Sequence, residues 1–174
     1  MHIFLQGPKR IGKSTVINKA LDILAATASL SLGGFFTWNG GRDDPHIYMR
    51  PAQAGREGEV YRLASYDSDA GGLVGNVHIF ELEGARLLGE RFGADLIIMD
   101  ELGFLESSAP LFRQAVLDTL SGKTPVLGVI RLGDIPWHVD IKRNTLVKVY
   151  DVNEENRDEL PRVIARSIMG SVQG

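Results

Sequence analysis

Gly7 to Thr15 reads GPKRIGKST. Its first eight residues fit the spacing G-x-x-x-x-G-K-[S/T], and each fixed position has a task beside a phosphate chain. Gly7 and Gly12 allow the main chain to wrap an anion with its N–H groups turned inward. Lys13 sets a positive charge against the outer phosphates, and Ser14 offers a hydroxyl to Mg²⁺. A helix beginning here adds a field at its N-terminus that favours negative charge. Pro8, Lys9, Arg10 and Ile11 complete the cradle. Lys9 and Arg10 either add charge near a nucleotide or are two solvated side chains. Thr15 belongs to the same nucleotide-binding stretch and reads as a helix residue rather than a metal ligand. At average glycine content the pattern arises by chance in on the order of 1% of chains this long.

A second chemical stretch is LIIMDE, Leu96 to Glu101. An apolar strand ends in Asp100, which can hold a metal through its water shell, the carboxylate role found beside phosphate loops. Glu101 follows and is placed to orient or deprotonate an attacking water. Strand alternation turns neighbours to opposite sides, so the strand end must bend for both to serve one site. An acidic pair at a strand end is weak evidence alone and gains force beside a phosphate loop. The pair favours hydrolysis over transfer, since a kinase needs an acceptor site and usually an arginine-rich lid. Two rivals stay open: a nucleotide or small-molecule kinase, and a nucleotide-gated switch whose turnover is incidental.

These residues need elements to hold them. His2–Gln6 (HIFLQ) reads as a buried strand before the loop, and 13–28 as a helix with a wide apolar face. Residues 31–38 predict a strand with a glycine break. The turn NGGRDDP precedes a returning hairpin arm at 46–50, and 55–65, with EVYRLAS, predicts another strand. Residues 66–75 read as a polar, glycine-rich loop, 77–80 as a short strand or helix entry, and 81–92 as a helix. Strands are expected at 95–100, 125–131 and 146–150. A helix at 109–120 carries Pro110 in its first turn. Asn153 is expected to cap a last helix, with Pro161 delaying its start or kinking it. Apolar strands joined by helical crossovers imply an α/β fold with a mainly parallel sheet covered on both faces, in three layers. The region from about 31 to 66 adds antiparallel edge strands.

The chain has 174 residues, 44% hydrophobic and 24% charged. That length suits one domain, 1–174, burying roughly 70% of the surface of the unfolded chain. A net charge of −3 argues against a general nucleic-acid coat or an anionic-membrane binder. The absence of cysteine removes disulfides, cysteine-ligated metals and thiol nucleophiles. Neither a signal peptide nor a membrane helix is expected, so a cytoplasmic protein is.

GPxxxGKST, GGFFT at 33–37, VGNVHIF at 74–80, DELGFLE at 100–106, VLGVI at 126–130 and VKVYDVNEENRDEL at 147–160 fall in order along nearly the whole chain. In this set the sequence resembles the small phosphate-loop nucleoside-triphosphatases, the group that includes the cancer-related nucleoside-triphosphatase. The resemblance implies a RecA-like phosphate-loop fold and slow, Mg²⁺-dependent hydrolysis of several nucleoside triphosphates. By matched positions, Lys13 and Ser14 take the phosphate and metal roles, and Asp100 and Glu101 the metal and water roles. Glu106 falls on the family's second glutamate or caps the helix after it. The sequence departs from the family at Lys9 and Arg10, where an extra glycine is usual, and at Phe104. It departs again at Arg131, which either stabilises charge on the γ-phosphate or is a surface arginine.

Asn156 and Arg157 either contact base or ribose or open a capped helix. His2, His46, His78 and His138 lack metal-ligand spacing and read as surface or hydrogen-bonded residues. Trp38 and Trp137 either stack on a base or pack at the core or an edge. Asp43, Asp44 and His46 read as turn residues, and Asp67 and Asp69 lack calcium-site spacing.

Overall fold

The computed structural model describes residues 1–90 and 93–172. Among the described residues eight strands form one sheet: β1 (His2–Gln6), β2 (Leu32–Asn39), β3 (Ile47–Pro51), β4 (Tyr61–Asp67), β5 (Gly72–Gly75), β6 (Leu96–Leu102), β7 (Val126–Ile130) and β8 (Val147–Asp151). Their order is β5-β4-β3-β2-β6-β7-β1-β8. The pairs from β2 through β6, β7 and β1 to β8 are parallel. The pairs β2–β3, β3–β4 and β4–β5 are antiparallel, as expected for the edge.

Alternation along the parallel strands builds two cores. Ile3 and Leu5 of β1, Leu96 and Ile98 of β6, and Leu127 and Val129 of β7 face one layer. That layer holds α1 (Lys13–Ala25) and α6 (Leu160–Val172), through Val16, Ile17, Leu24, Ile164 and Ile168. Phe4, Ile97, Met99, Val126 and Ile130 face the other side. There they meet Phe112, Val116 and Leu120 of α4 (Pro110–Leu120), with Leu87 and Leu88. Period-two burial of side chains on both faces is what a helix-covered parallel sheet requires.

Two local expectations, on 66–75 and on Asn153, need correction. Residues 66–75 are not a loop: Tyr66 and Asp67 finish β4, and β5 returns antiparallel with Ser65 opposite Val74 and Asp67 opposite Gly72. The turn between them is closed by Asp67 Oδ1, which accepts from the N–H groups of Asp69 and Ala70 at 2.8 and 2.9 Å. Polar, glycine-rich composition hides such a strand because main-chain bonds, not burial, hold it. Residues 77–89 run as α2 (Val77–Ile79), a π-helical turn (Phe80–Gly84) and α3 (Ala85–Gly89). The helix ends at Gly89 with Glu90 in a turn, and of the helix expected to residue 92 only 91–92 lie outside the described residues. Asn153 does not cap α6. Its Oδ1 accepts from Glu155 and Asn156 N–H in a turn, and α6 starts later, with Pro161 in its first turn. A short helix, α5 (His138–Arg143), was not expected.

Candidate active site

The loop between β1 and α1 sits at the C-terminal edge of the sheet, where parallel α/β sheets present their ligand crevices. Gly7 has φ +153°, and a Cβ there would lie 2.8 Å from the Val152 carbonyl oxygen, so only glycine seats the loop against the segment after β8. Arg10 and Gly12 take left-handed φ values of 66° and 107°. Gly12 then opens α1, whose first N–H groups have no carbonyl one turn back. The Lys13 ammonium donates to the carbonyls of Gly7 and Pro8 at 3.0 and 3.1 Å, which holds its charge across the loop.

Gly7, Pro8, Lys9, Lys13 and Ser14 line one wall of a cleft of about 540 Å³. Arg10 and Thr15 are exposed and do not line it, and Ile11 packs towards the α1 core.

The facing wall is the end of β6. Met99 pairs with Gly128 and Leu102 with Ile130, so β6 advances three residues while β7 advances two. This bulge interrupts alternation at Asp100 and Glu101, and both line the cleft. Sequence alternation alone could not bring the two acids together. The Asp100–Glu101 peptide is cis.

Ser14 Oγ stands 3.5 Å from Asp100 Oδ1, long for a direct hydroxyl–carboxylate hydrogen bond. Asp100 is 5% exposed. Burial pushes its carboxyl up to about 7; the Ser14 hydroxyl opposes this, Glu101 adds to it, and Lys13 opposes it. A hydroxyl and a buried acid are hard oxygen donors of the kind Mg²⁺ takes. Among the described residues no three His, Cys, Asp or Glu gather into a metal cluster. The donor set therefore fits an ion that brings phosphate oxygens and waters of its own.

Glu101 is half-buried, and its N–H donates to Thr37 Oγ1 at 3.0 Å. Thr37, on β2, also lines the cleft. Sequence reasoning held it only inside GGFFT. The signal for its role is a pairing register, Phe36 opposite Asp100, that no spacing reveals.

After β6 the chain turns through Gly103. Its N–H donates to Glu106 Oε1, and its carbonyl accepts from Trp137 Nε1 at 2.9 Å. Glu106 is buried, and burial pushes its carboxyl up to about 7, against the pull of the Gly103 N–H. It does not cap α4, which starts at Pro110. Arg131 lines the cleft with its guanidinium over the Phe104 ring, 4.8 Å from the centroid.

Trp137 is a core residue, whereas Trp38 lines the cleft, stacked on Tyr48 at 5.6 Å between centroids. Asn156 is engaged structurally: it donates from Nδ2 to Asp151 O at 2.8 Å and accepts from Asn153 N–H at 3.0 Å. Arg157 is exposed. His2 and His138 are not surface residues; burial lowers both to about 4 and keeps them neutral near pH 7. Among the described residues no helix is long and apolar enough to cross a membrane.

The family model described as NTPase matches residues 2–165. The chain is 33% identical over 186 positions to the nucleoside-triphosphatase THEP1 of Thermofilum pendens, covering 98% of this chain and 97% of that protein. It is 31% identical over 185 positions to the mouse cancer-related nucleoside-triphosphatase homolog, covering 94% and 95%. The solution structure of a human cancer-related nucleoside triphosphatase superposes with a TM-score of 0.79 at 28% identity, covering 98% of both chains. The crystal structure of THEP1 from Aquifex aeolicus, at 22% identity, shares the fold with a TM-score of 0.78 over 97% and 99% of the two chains. With the family model spanning nearly its whole length, the chain belongs to the NTPase family.

Proposed function

We propose that the protein hydrolyses nucleoside triphosphates to the diphosphate and phosphate in this cleft, with Mg²⁺ bound alongside the substrate. The observation that carries the reading is the meeting of a phosphate-type loop and two strand-end acids across one crevice. Main-chain N–H groups of the loop from Lys9 to Ser14 and the Lys13 ammonium hold the phosphates. Ser14 and Asp100 hold the metal, which supplies positive charge to the phosphate oxygens. Glu101 orients a water in line with the γ-phosphorus and takes its proton. The water oxygen bonds to phosphorus as the bond to the β–γ bridging oxygen breaks. Lys13 and the Arg131 guanidinium at the cleft wall offset charge as it shifts onto the leaving and peripheral oxygens.

Trp38, Ile47 and Leu63 line the cleft, with Asn39 among them, and offer a base apolar contact that does not depend on its hydrogen-bonding edge. That supports acceptance of several bases. The test is phosphate release from ATP, GTP, CTP and UTP, with and without Mg²⁺ and with no added acceptor. Metal-dependent phosphate release in step with diphosphate is the expected result. A requirement for an acceptor alcohol would make the protein a kinase. Tight binding with negligible turnover would make it a switch.

A further inference from the structure

The segment Glu101–Gly103 is held by four contacts from four different parts of the fold. The Glu101 N–H donates to Thr37 Oγ1 of β2 at 3.0 Å. The Leu102 carbonyl accepts from the Arg131 N–H after β7 at 2.8 Å. The Gly103 carbonyl accepts from Trp137 Nε1 beside α5 at 2.9 Å. The Gly103 N–H donates to the carboxylate of Glu106. Of these partners, Glu106 is the anomaly. It is a carboxyl only 2% exposed, close to the candidate catalytic base, and the chemistry proposed above does not use it.

Burying a carboxyl is costly, and the cost falls when it serves as an acceptor. Here the donor is the N–H of a glycine, the residue least able to hold its own conformation. Two residues before it stands Glu101, whose carboxylate must lie within hydrogen-bond reach of the attacking water. A misplacement of about 1 Å in such a group can cost on the order of 10²-fold in rate.

We propose that Glu106 is a positioning residue: through its hydrogen bond from the Gly103 N–H, with Trp137 gripping the same residue's carbonyl, it fixes the strand end that aims Glu101. The assignment rests on the reading of Glu101 as the base. It treats the Glu106 oxygen as an acceptor, a task that glutamine can perform. Its loss acts on the chemical step and leaves triphosphate binding to the loop intact.

The experiment compares steady-state hydrolysis of MgATP by wild type, Glu106→Ala, Glu106→Gln, Trp137→Phe and Glu101→Gln. Amide hydrogen exchange at Gly103 is followed in parallel. Glu106→Ala is expected to lower kcat about tenfold or more with KM within about twofold, and to speed Gly103 exchange while core strands stay protected. Glu106→Gln is expected to recover the rate to within about threefold of wild type. Trp137→Phe, which removes the N–H donor together with part of the buried indole, is expected to lower kcat in the same direction. It carries the test if Glu106→Ala does not fold. Wild-type kcat in Glu106→Ala, or in Trp137→Phe if the alanine variant is lost, overturns the assignment, provided Glu101→Gln is impaired. Equal impairment of the glutamine and alanine variants also overturns it, since the charge itself would then be needed. Wild-type turnover in Glu101→Gln would instead remove the base beneath it, whatever the Glu106 variants do.

Discussion

Lys13 and Glu101 are separable by the quantity each controls. Lys13 supplies the charged donor over the loop, so Lys13→Ala is expected to abolish measurable turnover and to weaken triphosphate binding, read by titration with a non-hydrolysable analogue. Glu101→Gln keeps the size and polarity of the side chain and loses its basicity. It is expected to bind triphosphate as wild type does and to turn over at least about 10²-fold more slowly in a single-turnover assay. Glu106 has a signature in stability. Its carboxyl rises from 4.5 unfolded to about 7 folded, because burial disfavours the charge. The folded state therefore holds this proton more tightly than the unfolded state. Its contribution is fully present below the unfolded value and is lost as pH rises through about 7. Replacing it with glutamine removes that loss. Relative to wild type, Glu106→Gln should gain in melting temperature by a few degrees between pH 5 and pH 8. An unchanged difference across that range would count against a buried, titrating Glu106.

At the level of elements, the site depends on strands meeting closely at the right register. Gly34 on β2 has φ +81°, and a Cβ there would lie 2.1 Å from the Ile98 carbonyl oxygen on β6. The Gly34 carbonyl also accepts the Ala52 N–H at 2.9 Å. The nearest obstacle is main chain rather than the end of a flexible side chain, so backbone must move. Gly34→Ala is expected to cost about 3 kcal/mol or more, overpacking and backbone strain together, measured by denaturant unfolding. Because Thr37 lies three residues along β2 and holds the Glu101 N–H, the variant should also lose turnover before it loses fold. The β6 bulge belongs to this scale as well. A regular strand would turn Asp100 and Glu101 to opposite faces, one of them into packed core. The extra residue against β7 lets both reach the cleft. The π-helical turn at Phe80–Gly84 sits nearby: Phe80 lines the cleft, and a Cβ at Gly84 would crowd the Phe112 ring at 2.7 Å.

For the molecule as a whole, binding at the cleft couples to global stability, since the unfolded chain has no loop, no bulge and no paired acids. A saturating ligand at about 100 times its Kd adds ~2.7 kcal/mol. In a chain of this size that raises the melting point by roughly 5–10 °C. MgATP is expected to produce that rise in the wild type. EDTA and Lys13→Ala should each erase it. A shift of equal size without the metal would argue against Ser14 and Asp100 as its holders. The loop Gly7–Ser14, the apolar runs of β1, β6, β7 and β8, and helices α1 and α4 were legible from residue types and spacing, because those signals are local. A glycine needed for a left-handed φ, a period-two apolar strand and an amphipathic helix each declare themselves within a few residues. The hairpin of β4 and β5 was not legible, because its second strand is only four residues, two of them glycine, follows a polar turn, and is held by main-chain bonds. The grip on Glu101–Gly103 was not legible either. Its parts, Thr37, Glu106, Arg131 and Trp137, are scattered over a hundred positions and meet only when β2, β6 and β7 come into register. The sequence by itself determined which groups are available to hold phosphates and a metal, since that chemistry is carried by side-chain type and backbone permissiveness. Only the tertiary structure decided that two adjacent acids face one cleft and what keeps them there, since aim depends on strand pairing, and pairing is a long-range property that no local pattern encodes.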